Sequence, residues 1–439
     1  MLLKNLLYKL QQIKSSFWFL PLCITLGGVL TALFFLYLDY NIEFKDIDLL
    51  AMLFPENAES ARNVLSVIAG AMIGIAGTVF SITLVVLTLA ASQYGPRLLR
   101  NFMYVTLNQV VLGLYIATFL YALIILNAVE GTENYQFVPK LSVLFALILS
   151  FSGLILLIIF IHRVSMSIQP STIITDLRKE LEENISRIYP KSAGQDALFF
   201  SAENIEGVKK SYQYHKSIKN NKSGYIEYVD IDKILALASK KNVFFEILCK
   251  PGMYQVYNEV IAHVYFNTID ADESLDISKY FHIEQKKTVF QDTEFAIHQM
   301  VEVACKALSP GINDPYTAIN CIDNLTSVMC SATKLNFPSS YRVNQEGELK
   351  LMTRSNDFEG FMNAAFNQIR QFGLASPSVV IKLMECYTTI SKFAHTEEQH
   401  SAIKNHADRL LESAQSQFIN KSDLEDLFER HTAYLETIT

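Results

Sequence analysis

The sequence predicts an α-helical membrane domain of four spans followed by a mainly helical α+β cytoplasmic domain. Three observations predict it. The first third of the chain holds uncharged apolar runs long enough to cross a bilayer, and basic residues alternate between the segments that join those runs. Beyond about residue 163 the pattern changes to amphipathic helices and alternating strands. Half of the 439 residues are hydrophobic, yet the net charge is −7. That acidic balance excludes general nucleic-acid binding, which needs a basic face.

Residues 63–96 carry no charge, nor do residues 101–129, and between Lys140 and Arg163 only His162 is ionisable. A bilayer core of about 30 Å needs about 20 apolar residues in a helix. The predicted spans are 17–38, 64–91, 105–127 and 141–161, within a membrane domain of residues 1–163. Trp18 sits at the start of the first, where an interfacial aromatic belongs. That run is long and lacks a small-residue cleavage site, so it reads as an anchor and not a cleaved signal peptide. The flanks set the orientation. Lys4, Lys9 and Lys14 precede the first span, Arg97 and Arg100 lie in the second loop, and Arg163, Arg178 and Lys179 follow the fourth. The first and third loops are acidic or weakly charged. By the positive-inside rule both termini are cytoplasmic.

The second span, "IAGAMIGIAGTVFSITLVVLTLAAS", places Gly70, Gly74, Gly77, Ser81 and Thr88 at three- and four-residue steps, interrupted at Leu84. Such a stripe lets helix backbones approach closely. It reads as packing against neighbouring spans or as the lining of a subunit contact or pore. Arg97 and Arg100, just beyond it, are topology-setting charges or, in an oligomer, an anion-attracting ring.

Residues 164–201 read as a connecting helix, with Leu177, Leu181 and Ile185 on one face. Residues 202–268 read as a small α+β module: the strand "SGYIEYVD", the helix "IDKILALASKK", the strand "VFFEILC", then a Pro251-Gly252 turn and further strands. It has no glycine-rich phosphate loop. Residues 269–439 read as mainly helical, with a hairpin in "YRVNQEGELKLMT" around Glu346-Gly347. Cys249, Cys305, Cys321, Cys330 and Cys386 form no CxxC pair and indicate a reducing compartment.

Two clusters in this last segment could carry chemistry. In "CKALSPGINDPYTAINCIDNL", Pro310 stops a helix, Gly311 allows a turn, Asp314 caps the next helix and Pro315 starts it. Capping leaves Ser309, Asn313 and Thr317 unexplained, so Ser309, Asn313, Asp314 and Thr317 are candidate ligand-binding residues. In the preceding helix Glu294, His298 and Glu302 recur at four-residue steps, with Asp292 one turn away. Carboxylates and a histidine on one face can ligate a divalent ion. No other hydrolase, nucleotide-binding or paired-cysteine pattern is present.

The stretches "FSITLVVLTLAASQYGPRLLRNFM", "QDTEFAIHQMVEVACKALSPGINDPYTAINCIDNL" and "FNQIRQFG" together resemble the bacterial membrane proteins grouped as domain of unknown function 2254. The resemblance covers nearly the whole chain. It implies a multi-pass protein of the bacterial cytoplasmic membrane with a cytoplasmic C-terminal part, and it implies no activity or cofactor. The chain departs from the family where it has "KPGMYQV": Met253 stands where the family often has Asp. The leading expectation is therefore a non-enzymatic homo-oligomer in the lipid bilayer, channel-like or transport-related, handling an ion or small molecule. The alternatives are a membrane-anchored sensor or scaffold with a small ligand at 309–317, and a metal-dependent hydrolase using Asp292, Glu294, His298 and Glu302.

Overall fold

The computed structural model describes residues 18–41, 57–95, 106–132, 135–167, 169–189, 200, 202–267, 275–287 and 292–437. The chain divides into two units, residues 1–172 and 173–439.

The first unit contains four helices long and apolar enough to cross a membrane: α1 (Phe19–Asn41), α2 (Ala58–Tyr94), α3 (Thr106–Ala128) and α4 (Lys140–Ser167). Asn57 starts α2 by accepting a hydrogen bond from the Ser60 amide at 2.8 Å. A short antiparallel hairpin, β1 (Glu130–Thr132) and β2 (Tyr135–Phe137), joins α3 to α4. The first turn of α4 is capped from α1. Asp39 accepts from the Leu141 amide at 3.0 Å, the Ser142 amide at 2.9 Å and the Ser142 hydroxyl at 2.6 Å. A carboxylate at a helix N-terminus satisfies orphan donors and opposes the macrodipole.

Close packing inside this unit runs through glycines that the sequence did not single out. A Cβ on Gly28 of α1 would lie 2.8 Å from the Ala117 Cβ of α3, and one on Gly113 would lie 3.0 Å from the Pro21 Cα. On α4, Gly153 faces Tyr115, whose hydroxyl donates to the Gly153 carbonyl at 2.7 Å. Tyr121 donates to the Ser142 carbonyl at 3.0 Å. These bonds give the buried phenols partners inside the bundle, where an unpaired hydroxyl is costly. Leu65, Met72, Tyr115, Tyr121 and Phe160 form the centre of the bundle.

The second unit opens with α5 (Pro170–Ile188), whose buried face includes Ile174, Leu177, Leu181 and Ile185. After α6 (Ala202–Lys210) come β3 (Tyr214–Lys219), β4 (Gly224–Val229), α7 (Ile231–Lys241), β5 (Phe244–Ile247), β6 (Tyr254–Gln255), β7 (Val260–Phe266) and β8 (Phe281–Glu284). Asp230 caps α7, and left-handed Asn242 ends it. Then follow α8 (Thr293–Ala307), α9 (Pro315–Ala332), β9 (Tyr341–Val343), β10 (Leu349–Met352), α10 (Phe358–Gly373), α11 (Pro377–Ser391), α12 (Glu397–Gln415) and α13 (Lys421–Glu436).

The strands form a five-stranded sheet of order β3-β7-β5-β10-β9 and an antiparallel three-stranded sheet β6-β4-β8. The hairpin expected around Gly347 is present, but it does not stand apart: β10 pairs parallel with β5, Leu351 opposite Phe245. Residues 341–352 thereby complete the sheet of the small module. A parallel pair requires a crossover, and here it runs through β6, β7, β8, α8, α9 and β9. Ile234, Phe245, Ile261, Val264 and Leu351 share one core. In the helical part, α8 packs on α9 and α10, and α11 packs on α9, α12 and α13.

Candidate functional site

The stripe on α2 is exposed along its described length. Leu65, Ile68, Ala69, Met72, Ala76 and Val79 turn inward, while Gly70, Gly74, Gly77, Ser81 and Thr88 face outward. A Cβ built on Gly70, Gly74 or Gly77 meets nothing within 4 Å. The hydroxyls return to their own backbone: Ser81 donates to the Gly77 carbonyl at 2.9 Å and Thr88 to the Leu84 carbonyl at 2.9 Å. The face is a shallow, self-satisfied groove flanked by exposed Ile73 and Phe80, with exposed Val67 at its start and exposed Leu84 interrupting it. Arg97 and Arg100 lie outside the described residues.

The corner between α8 and α9 is built as a double cap. Asp314 accepts from the Thr317 amide at 3.1 Å and from the Thr317 hydroxyl at 2.6 Å. Ser309 donates to the Lys306 carbonyl at 2.6 Å, and its own carbonyl accepts from the Asn313 amide at 2.9 Å. The left-handed position of the turn is Asn313, φ 50°, while Gly311 has no positive φ. Asparagine tolerates that region because its short polar side chain bonds locally. Local bonds thus occupy Ser309 and Thr317, and the turn conformation accounts for Asn313, the three residues that capping alone left unexplained.

The four residues of the metal expectation lie on the acidic ladder of α8 and at its N-cap. Among the described residues no three of His, Cys, Asp and Glu converge as a metal site. Asp292 is the N-cap of α8, accepting from the Phe295 amide at 3.0 Å, and Lys287 Nζ lies 3.0 Å from its second oxygen. Glu294 pairs with Lys250 at 2.7 Å. His298 and Glu302 stand further along the same helix and bring no ligand set to these two acids. A single helix face supplies too few ligands, and its first two acids are engaged by lysines. Asp292 instead seats the Pro251-Gly252 turn. Gly252 has φ 88°, and a Cβ there would lie 2.1 Å from Asp292 Oδ2.

The second unit also holds a cavity of about 440 Å³ that sequence reading missed. Its wall combines the end of α5 (Arg187, Tyr189), the turn after β5 (Cys249, Lys250), Arg342 of β9, and the segment after β10 (Arg354, Asn356). Lys250 is held by Glu294 and by the Asn356 side-chain oxygen, 2.7 Å away. Arg342 donates to the carbonyls of Ser339 and Tyr341. Burial pulls the Arg342 guanidinium below its ordinary value, with Asp232 opposing. Burial also raises the Tyr189 phenol and pushes the Cys249 thiol up to about 12, the latter against the pull of Arg354. Burial thus favours the neutral thiol of Cys249 over its thiolate. These residues are scattered from 187 to 356. The available hint was Arg342 and Arg354 bracketing one hairpin.

A family model described as "Predicted membrane protein (DUF2254)" matches residues 14–389. The chain belongs to the DUF2254 family. The matched segment contains the α2 stripe, the corner, the seated turn and the cavity, while α12 and α13 lie beyond it. Two relatives are uncharacterised proteins of Mycobacterium tuberculosis and Mycobacterium bovis. Each is 29% identical over 378 residues, covering 85% of this DUF2254 chain and 71% of the relative. No solved structure matches.

Proposed function

We propose that this DUF2254 protein is a non-enzymatic homo-oligomer of the bacterial inner membrane, channel-like or transport-related. Copies meet along the glycine stripe of α2, both termini are cytoplasmic, and the second unit assembles and gates the complex. One observation carries this reading: Gly70, Gly74 and Gly77 face open space, while Gly28, Gly113 and Gly153 already serve packing within the chain. Without a hydrophobic drive between helices in lipid, small-residue faces associate by close backbone contact. A stripe left unused by its own bundle fits contact with another copy. The charge alternation of the loops supports the orientation.

The test is conductance of purified protein in planar bilayers. Wild-type protein is expected to conduct, and Gly77→Leu is expected to reduce conductance, because a leucine fills the groove. Absence of conductance from folded wild-type protein removes the channel reading. A second reading, a membrane-anchored sensor of a small ligand, is favoured by the cavity in the second unit and not by the corner at 309–317.

A further inference from the structure

We propose that the cavity of the second unit is a binding site for a small phosphate-bearing anion. This goes beyond assembly through α2 and does not depend on it. Arg187, Lys250, Arg342 and Arg354 line the cavity, and no aspartate or glutamate does. The chain as a whole carries a net charge of −7, so a concave wall of one positive sign is a local arrangement and not an overflow of the composition.

The charges are also incompletely balanced. Lys250 is matched by Glu294. Arg342 spends hydrogen bonds on two backbone carbonyls, and among the described residues no carboxylate forms an ion pair with Arg342 or Arg354. Partial burial of an arginine without a paired anion is costly, and a bound anion removes that cost. Two guanidinium groups suit the several oxygens and double charge of a phosphate, which planar N–H forks engage in bidentate fashion. A volume of about 440 Å³ exceeds a bare phosphate and falls in the range of small-molecule sites. The remaining wall, with Tyr228, Ile231, Ile247 and Pro338, offers an apolar and aromatic surface to the body carrying the phosphate. Through Arg187 of α5 and Tyr189 just after it, the ligand is held partly by the helix that follows the last span in the chain.

Two sources share this chemistry, a soluble phosphomonoester and a phospholipid headgroup. Isothermal titration of the full-length protein in detergent separates them, with adenosine 5′-monophosphate, glycerol 3-phosphate and a short-chain phosphatidic acid as probes. Adenosine and glycerol serve as controls. At least one phosphate probe is expected to bind, its dephosphorylated control is not, and Arg342→Gln combined with Arg354→Gln should weaken binding at least about tenfold. Binding of a soluble probe assigns a soluble ligand; binding of phosphatidic acid alone assigns a headgroup. Arg354 is exposed, so Arg354→Gln alone keeps the fold and should still weaken binding. The proposal is overturned if no phosphate probe binds folded protein at millimolar concentration. It is equally overturned if the controls bind as well, or if the arginine variants bind like wild type.

Discussion

Substituting Gly252 by alanine tests how the KPG turn is fastened to the helical part of the second unit. Two separate costs follow from the geometry. At φ 88° an L side chain is strained by about 1–2 kcal/mol. The new Cβ would also stand 2.1 Å from Asp292 Oδ2 and 2.4 Å from its Cγ, so the carboxylate must leave its place. Moving it breaks the Phe295 cap bond, worth about 1 kcal/mol. It also disturbs a pair with Lys287 in which the Asp292 side chain is only 5% exposed, adding about 1–2 kcal/mol. The total expected for Gly252→Ala is about 3–5 kcal/mol. In an Asp292→Ala background the clash is gone, and only the backbone strain of about 1–2 kcal/mol should remain. Thermal melting and hydrogen exchange at the start of α8, in all four proteins of the cycle, measure the difference. A Gly252→Ala cost that is identical in both backgrounds refutes the seating of the turn on Asp292.

Two further predictions concern the helical part. His406 is buried against Phe366 and Tyr387, and burial, reinforced by Arg409 and Arg370, lowers its pKa to about 4. Between pH 6.5 and about 4 the unfolded chain binds the proton and the folded one does not, so stability is full above 6.5 and falls with pH. Denaturant unfolding should lose about 2 kcal/mol between pH 7.5 and pH 5 from this group, and His406→Leu should lack that component. At the corner, Asp314→Ala should cost about 1 kcal/mol in thermal unfolding while Asp314→Ser recovers most of it; a serine variant as unstable as alanine contradicts the capping role.

Much of the fold could be read from the chain because its signals are local. Uncharged runs marked α1 to α4, the 3.6-residue spacing of Leu177, Leu181 and Ile185 marked α5, and Asp314-Pro315 marked the start of α9. All six cysteines are free thiols, as their scatter suggested. What stayed hidden depends on pairing between distant segments. The parallel contact of β10 with β5 joins residues about a hundred positions apart, with two helices between them. The same distance hid the cavity, whose arginines converge only once that sheet forms. The spacing of Glu294, His298 and Glu302 was real, but spacing shows a shared helix face and not the lysines that reach its first turn from the segments after β5 and β8. The α2 stripe was visible as a pattern; that its glycines face outward, while Gly28, Gly113 and Gly153 do the internal packing, required the bundle itself.

The measurement that bears most directly on the central claim is the mass of the full-length protein in lipid nanodiscs, wild type beside Gly77→Leu. If copies meet through the α2 stripe, the wild type has the mass of several 49.7 kDa chains. Gly77→Leu should then shift it toward the single chain, with its helical content unchanged. A wild type that is monomeric at every concentration, or an oligomer indifferent to leucine at Gly70, Gly74 and Gly77 in turn, contradicts assembly through this face.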